Sequence, residues 1–143
     1  NKLEPNLLIG GVGSKNYIRS INKRISNKNI QFLGYVEDRY SFFNSIKVFI
    51  FPSYSEGLGL VLLEAMSHGV LCITRDVTPM NSIIKNGENG FLFKDNNELI
   101  EKIEKAINLN SSEKDKIVKS ALEKIEKSYS IMQMYLSIDK AYN

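Results

Sequence analysis

An α/β domain built on a parallel sheet is the fold class that this sequence predicts. Short apolar runs that read as strands alternate with stretches carrying apolar residues at helical spacing, the pattern of parallel strands joined by crossover helices. Glycines sit at the ends of the strand-like runs, where the chain turns toward the next helix. Because crossover connections are right-handed, the repeated strand–helix units arrange as a Rossmann-like, three-layer domain with its ligand site at the carboxyl ends of the strands.

The 143 residues suffice for one domain with a real core. Hydrophobic residues make up 43% and charged residues 24%, the proportions of an ordinary globular protein. The net charge of +3 is unevenly placed, with 11 Lys and Arg against 7 acids in residues 1–94 and 8 against 9 in residues 95–143. The positive balance thus lies in the half that holds the candidate site described below, which suits an anionic ligand. No basic stripe interleaved with aromatics is present, which argues against nucleic acid. The single cysteine, Cys72, excludes an internal disulfide and sits in an apolar run that reads as core. No apolar stretch approaches about 18 residues and no signal peptide is visible, so a cytoplasmic location is expected. The chain opens at Asn1 without a methionine and runs quickly into a strand, and so reads as part of a longer protein.

Leu7 to Ile9 reads as a buried strand ending in Gly10-Gly11-Val12-Gly13. A helix begins near Ser14, with Tyr17, Ile18, Ile21 and Ile25 at helical spacing. Glycines between strand and helix invite a dinucleotide-binding reading, but the third glycine of that fingerprint would fall on Asn16, so it fails. Ile30 to Gly34 is a second strand, and Glu37 to Ser45 a short helix with Tyr40 and Phe43 inward. Ile46 to Phe51 is nearly all apolar and rich in β-branched and aromatic residues, as in a strand buried on both faces. Pro52 cannot donate to a ladder and ends it. Ser53 to Gly59 is a polar turn, Leu60 to Ser67 a run of helix formers, and Gly69 the stop.

Leu71 to Thr74 is the fourth strand. Thr78 to Lys85 is polar with a short helix, Asn86 to Gly90 is a turn cluster, and Phe91 to Phe93 a short strand. Asp95 followed by Glu98 has the form of a capping box, opening a helix that buries Leu99, Ile103 and Ile107. Ser112 opens another helix, with Ile117, Ala121, Leu122 and Ile125 inward and a solvated face of Lys and Glu. Ser130 breaks that pattern, and Ile131 to Tyr142 forms a last helix with Met134, Tyr135 and Ile138 on one side.

The segment from Pro52 to Gly69 carries the chemistry. The backbone N–H groups of Gly57 to Leu60 fall at a helix N-terminus, where they lack intrahelical partners, and Gly57 and Gly59 let a ligand approach the backbone. Glu64 lies inside an apolar helix, so its carboxylate is partly buried and needs donors. Those donors are either a basic side chain or loop of the fold, or the hydroxyls of a ligand. Glu56, read alone, is better taken as a solvated loop carboxylate than as a ligand contact. His68 alone makes no metal site and reads as structural or solvated. The sequence shows neither a nucleophile–base constellation nor a P-loop.

This segment resembles the signature P-S-x-x-E-G-[FL]-G-L-x-x-[LV]-E-A-M of the retaining glycosyltransferases of family 4 (group 1), which have the GT-B fold. Ser53, Glu56, Gly57, Leu58, Gly59, Leu60, Glu64, Ala65 and Met66 match it, with seven residues between the two glutamates. Three weaker resemblances accompany it: Ile9 to Gly13, Ile30 to Val36, and Asn86 to Phe91. The family's proline before the fourth strand is missing, which loosens a turn only.

The resemblance covers residues 7–94 well and the helical remainder in outline. It implies the C-terminal, donor-binding half of a two-domain enzyme that transfers a sugar, with retention and without a metal or other cofactor, from a nucleotide diphosphate sugar (UDP- or GDP-sugar) to a glycan or lipid-linked acceptor. By it, Glu64 holds the ribose hydroxyls, Gly57, Leu58, Gly59 and Leu60 offer N–H groups to diphosphate and sugar, and Glu56 binds sugar hydroxyls as the catalytic-site carboxylate. Gly11 and Gly13 line the nucleotide cleft, while Tyr35 and Val36 either contact the base or merely pack at a strand end.

The family's Arg and Lys for the diphosphate, and its acceptor half, would precede Asn1. The chain is thus expected to bind donor weakly and not to turn over alone, and the full protein to associate peripherally with a membrane. In relatives the terminal helix crosses to the other domain, whereas in an ordinary domain it would pack on its own core. A nucleotide-sugar epimerase of the same fold, which the spacing of the two glutamates argues against, and a non-catalytic nucleotide-sugar-binding module are the alternatives.

Overall fold

A computed structural model describes residues 6–24 and 28–130. The elements run β1 (Leu7–Gly10), α1 (Lys15–Arg24), β2 (Ile30–Gly34), α2 (Arg39–Ser45), β3 (Val48–Phe51), α3 (Leu60–Ser67), β4 (Leu71–Arg75), α4 (Met80–Ile83), β5 (Phe91–Phe93), α5 (Asn96–Asn108) and α6 (Ser111–Tyr129). This is the α/β alternation that the sequence predicts, and every strand pairing is parallel. The chain divides into two compact units, Asn1–Phe42 and Phe43–Asn143.

In the first unit, β1 pairs with β2 from Leu7 opposite Ile30 to Gly10 opposite Gly34, with a register shift after Ile9. The expectation of a buried β1 is corrected: Leu7 is exposed, and Leu8 and Ile9 are half-buried. The Ser14 hydroxyl accepts the Tyr17 N–H at 3.2 Å and starts α1. Ile18 and Ile21 are half-buried on this helix, Tyr17 is exposed, and the expected Ile25 lies outside the described residues.

Helix α2 begins two residues later than expected because Asp38 caps it, its carboxylate accepting the Ser41 N–H at 2.9 Å. Of its two expected inward residues only Phe43 is buried, while Tyr40 is exposed. The Phe43 ring meets Phe49 edge-on and stacks on His68, both at 5.5 Å.

In the second unit the sheet order is β3–β4–β5. The central strand, β4, is buried at all five positions, whereas β3, at the edge of this sheet, is half-buried throughout and starts at Val48 rather than Ile46. The double-sided burial expected of β3 therefore belongs to β4. Leu71 and Ile73 of β4 join Phe91, Phe93, Ala106 and Ile117 in the core, with Val48, Ile50, Leu99, Ile103 and Leu109 packed around them. Helices α3, α4, α5 and α6 all contact β4.

Cys72 is buried as expected, its thiol donating to the Val70 carbonyl at 3.3 Å. The buried Asn89 accepts the Lys85 N–H at 2.7 Å and donates to the Ile83 carbonyl at 3.1 Å, which fixes the turn before β5.

The two C-terminal helices differ from expectation at their caps and flanks. Asp95 caps α5 by accepting from Asn97 and Glu98, but the Glu98 carboxylate accepts the Lys94 N–H rather than returning to Asp95. The reciprocal box instead forms at α6 between Asn110 and Glu113, so that helix starts at Ser111. Ile107 and Leu122 are exposed rather than inward, and Ala106 is buried; Ala121 is buried as expected. Ser130 is extended, with φ −71° and ψ 156°. The expected helix from Ile131 to Tyr142 lies outside the described residues.

Candidate functional site

Strand β3 ends at Phe51, whose carbonyl accepts the Thr74 hydroxyl at 3.0 Å, and the chain then leaves the sheet through Pro52. Residues 54–58 are exposed. Within this loop the Ser53 hydroxyl donates to the Glu56 carboxylate (Oε1) at 2.7 Å, so the exposed acid is held against its own turn. Gly57 is open where a side chain would project: an added Cβ there would meet nothing within 4 Å.

Gly59 is the N-cap of α3, with φ 69° and ψ 38°, a left-handed conformation that glycine adopts without penalty. Leu62 and Leu63 both donate to the Gly59 carbonyl, at 2.9 and 3.1 Å. No side chain caps the helix, and the N–H groups of Leu60 and Val61 precede the first helical acceptor. Of the expected N–H groups only that of Leu60 falls in the first turn of α3, where Val61 joins it, while Gly57 and Leu58 lie in the loop before the Gly59 cap. This helix start is at the carboxyl end of β3, where open α/β sheets place ligands. Leu58 and Leu60 present exposed side chains beside it.

Glu64 lies one turn into α3, half-buried between the buried Leu62, Ala65 and Met66. That matches the partial burial read from its apolar surroundings. At the other end of α3, Gly69 (φ 68°) donates to the Met66 carbonyl and Val70 to the Ala65 carbonyl, which closes the helix where expected. His68, at that C-cap, stacks on Phe43 with Nδ1 3.4 Å from the Asn44 amide oxygen, a structural position.

The remaining predicted residues gather in the first unit, at the carboxyl ends of β1 and β2. The Gly11 N–H donates to the Gly34 carbonyl at 2.8 Å, which brings the glycine loop beside Tyr35. Tyr35 is exposed. Val36 is half-buried, and its Cγ2 would lie 3.0 Å from a Cβ added at Gly10. Gly13 sits two residues after Gly11, before α1, with the Tyr17 ring 2.8 Å from where its Cβ would stand. Val36 therefore packs at the strand end, while the Tyr35 side chain is presented outward.

Two residues that the motif leaves out hold the β3–α3 loop. Arg75, the last residue of β4, is only 8% exposed. Its guanidinium lies 3.9 Å from the centre of the Tyr54 ring and 4.9 Å from that of Phe93. It donates to the carbonyls of Pro52 (3.4 Å) and Lys94 (2.8 Å). The sequence signal for it was a cation closing an otherwise apolar strand; its ring partner, Tyr54, lies on another element. Among the described residues no cluster of three or more His, Cys, Asp or Glu is placed to hold a metal ion.

A parallel α/β sheet with a glycine-bearing loop feeding an uncapped helix at its carboxyl edge defines a Rossmann-like α/β domain. More particularly, the chain belongs to the glycosyl transferases group 1 family, whose sequence model matches residues 2–124.

The chain is 33% identical over 141 residues to the capsular polysaccharide biosynthesis glycosyltransferase CapM of Staphylococcus aureus, covering 96% of this chain and 37% of CapM. Its fold is similar to that of Anabaena HepE, solved in complex with UDP (TM-score 0.87, 19% identity, 96% of this chain and 40% of HepE). It is also similar to the C-terminal domain of a group 1 glycosyl transferase from Francisella tularensis (TM-score 0.74, 19% identity, 91% of this chain and 89% of that domain). The chain thus spans a little over a third of the length of CapM.

Proposed function

We propose that this chain is the donor-binding domain of a retaining glycosyltransferase. Joined to an acceptor-binding half, it passes a sugar from a UDP- or GDP-sugar to a glycan or lipid-linked acceptor of a surface polysaccharide. The observation that carries this reading is the β3–α3 segment, where an exposed Glu56, an uncapped helix N-terminus and a half-buried Glu64 stand in one run inside the family match. Two relatives support this reading: HepE was solved with UDP, and a matching Escherichia coli enzyme is a UDP-Gal:α-D-GlcNAc-diphosphoundecaprenol α-1,3-galactosyltransferase.

In this reading Glu64 accepts from the ribose hydroxyls, and the N–H groups from Gly57 to Leu60 face the diphosphate and sugar. Glu56 binds sugar hydroxyls. Gly11, Gly13, Tyr35 and Val36, at the strand ends of the first unit, are further donor-contacting residues in this reading. As the bond to the sugar breaks, charge grows on the departing diphosphate. Pre-aimed N–H groups stabilise that charge without a metal ion or other cofactor. The acceptor half completes the site, so the 143 residues alone bind donor but transfer nothing. The full enzyme works in the cytoplasm at the membrane surface.

The test is an NMR titration of this chain with UDP, GDP and their sugars. Amide shifts confined to Gly57–Glu64 and Gly11–Gly13 and weakened by Glu64→Ala support the reading, and the stronger ligand names the base. Shifts that cluster elsewhere, or sugar transfer by the chain alone, would overturn it.

A further inference from the structure

Arg75 is a buried cation, and its contacts are unusual for one. Among the described residues it forms no ion pair; two carbonyls and two aromatic faces satisfy it instead. Hydrogen bonds from a charged donor are roughly twice as strong as neutral ones, and a guanidinium between rings gains further attraction as water is excluded. Such a group is expensive to bury and is retained where its fixed fork holds several segments at once.

The segments it joins are informative. Arg75 reaches the Pro52 carbonyl on one side of Ser53 and the Tyr54 ring on the other. Ser53, held between these two grips, donates its hydroxyl to the Glu56 carboxylate at 2.7 Å. Tyr54 as a whole residue is 75% exposed even with the guanidinium against its ring. On the far side Arg75 bonds the Lys94 carbonyl, at the turn into α5, and meets Phe93 of β5. A continuous path therefore runs from the buried end of β4 through Tyr54 and Ser53 to Glu56.

We infer that Arg75 and Tyr54 form a clamp that positions the Ser53–Glu56 turn, and with it the carboxylate that faces the donor sugar, independently of the Gly57–Glu64 segment. The clamp acts on Glu56 through Ser53, so Arg75 is a positioning residue. Its effect on ligand discrimination rests on the proposed role of Glu56, whereas its effect on the loop does not.

The experiment has two arms, each comparing the wild-type chain with Arg75→Met, Arg75→Lys, Tyr54→Ala and Tyr54→Phe, after circular dichroism confirms that each is folded. The first needs no ligand. Backbone order parameters of residues 53–56 should fall from about 0.85 to below about 0.6 in Arg75→Met and Tyr54→Ala. They should stay high in Tyr54→Phe, which keeps the ring, and fall in Arg75→Lys, which keeps the charge but loses the fork. Unchanged order in Arg75→Met, or full rescue by Arg75→Lys, overturns the clamp.

The second arm measures the affinity ratio of nucleotide sugar to free nucleoside diphosphate, with UDP and GDP as probes. Arg75→Met should lower that ratio about tenfold while leaving the diphosphate affinity within about twofold, a split that general destabilisation would not produce. An equal loss for both ligands overturns the specific link to Glu56. If the wild-type chain binds neither nucleotide, the donor-binding reading fails and the first arm alone decides the clamp.

Discussion

Replacing Gly59 tests how the candidate site is built, because strain and packing can be separated there. The residue has φ 69° and ψ 38°, and a left-handed backbone costs an ordinary L-residue about 1–2 kcal/mol. A Cβ at this point would meet Ile83 Cδ1 at 3.5 Å, the Met80 sulfur at 3.9 Å and Leu62 Cβ at 4.0 Å, all ordinary contacts. Sterics therefore add almost nothing, and the backbone carries the whole effect. Gly59→Ala should lower stability by about 1–2 kcal/mol, and Gly59→Asn by clearly less, since asparagine tolerates the left-handed region. For a domain of this size the alanine change corresponds to a fall in melting temperature of about 3–8 °C. Urea unfolding of the three chains, followed by circular dichroism, measures the difference directly. Equal losses for Ala and Asn, or no loss for Ala, would refute the assignment of Gly59 as a left-handed N-cap that only glycine holds without strain.

Other outcomes follow from the same geometry. Asp95→Ala removes a cap that accepts from both Asn97 and Glu98 and should cost about 1 kcal/mol in urea unfolding; Asn110→Ala breaks a reciprocal box and should cost at least as much. The Ser41 hydroxyl and N–H hold the Asp38 carboxyl below its ordinary value of 3.8. Its stabilising effect is therefore present above that value and is lost as pH falls through the lower folded-state midpoint. Carbon-detected NMR should show that midpoint rising toward 3.8 in Ser41→Ala. Burial pushes the Cys72 thiol up, so it should resist a water-soluble thiol reagent in the folded chain and react fully in guanidinium. Labelling at equal rates in both conditions would contradict its place in β4.

What could be read from the sequence was local. The strand–loop–helix run from Val48 to Ser67 was legible because Pro52, Gly59 and Gly69 act within their own turns, and the apolar setting of Glu64 foretold its half-burial. Which strand lies deepest was not legible. β3 and β4 are similar apolar runs, and only the sheet order makes β4 central. Ile107 and Leu122 were assigned inward by helical spacing, yet both are exposed; Ala106 is buried instead of the first, whereas Ala121, also assigned inward, is buried as read. The start of α6 was misplaced because Asn110 competes with two following serines as a cap, and only the Glu113 return bond selects it. Tyr54 and Arg75 meet across two elements, a pairing that no local pattern encodes.

The central claim is that Glu64 holds the ribose of a nucleotide donor. The most direct measurement is a calorimetric cycle with the wild-type chain and Glu64→Ala, each titrated with UDP and with its 2′,3′-dideoxy analogue, and likewise with the guanosine pair. If the claim holds, the wild-type chain prefers the natural nucleotide by about tenfold or more, as expected for hydrogen bonds to a charged group. The mutant should lose that preference while binding the dideoxy analogue as the wild type does. A preference that survives in Glu64→Ala would contradict the assignment and leave Glu64 as a carboxylate of the fold.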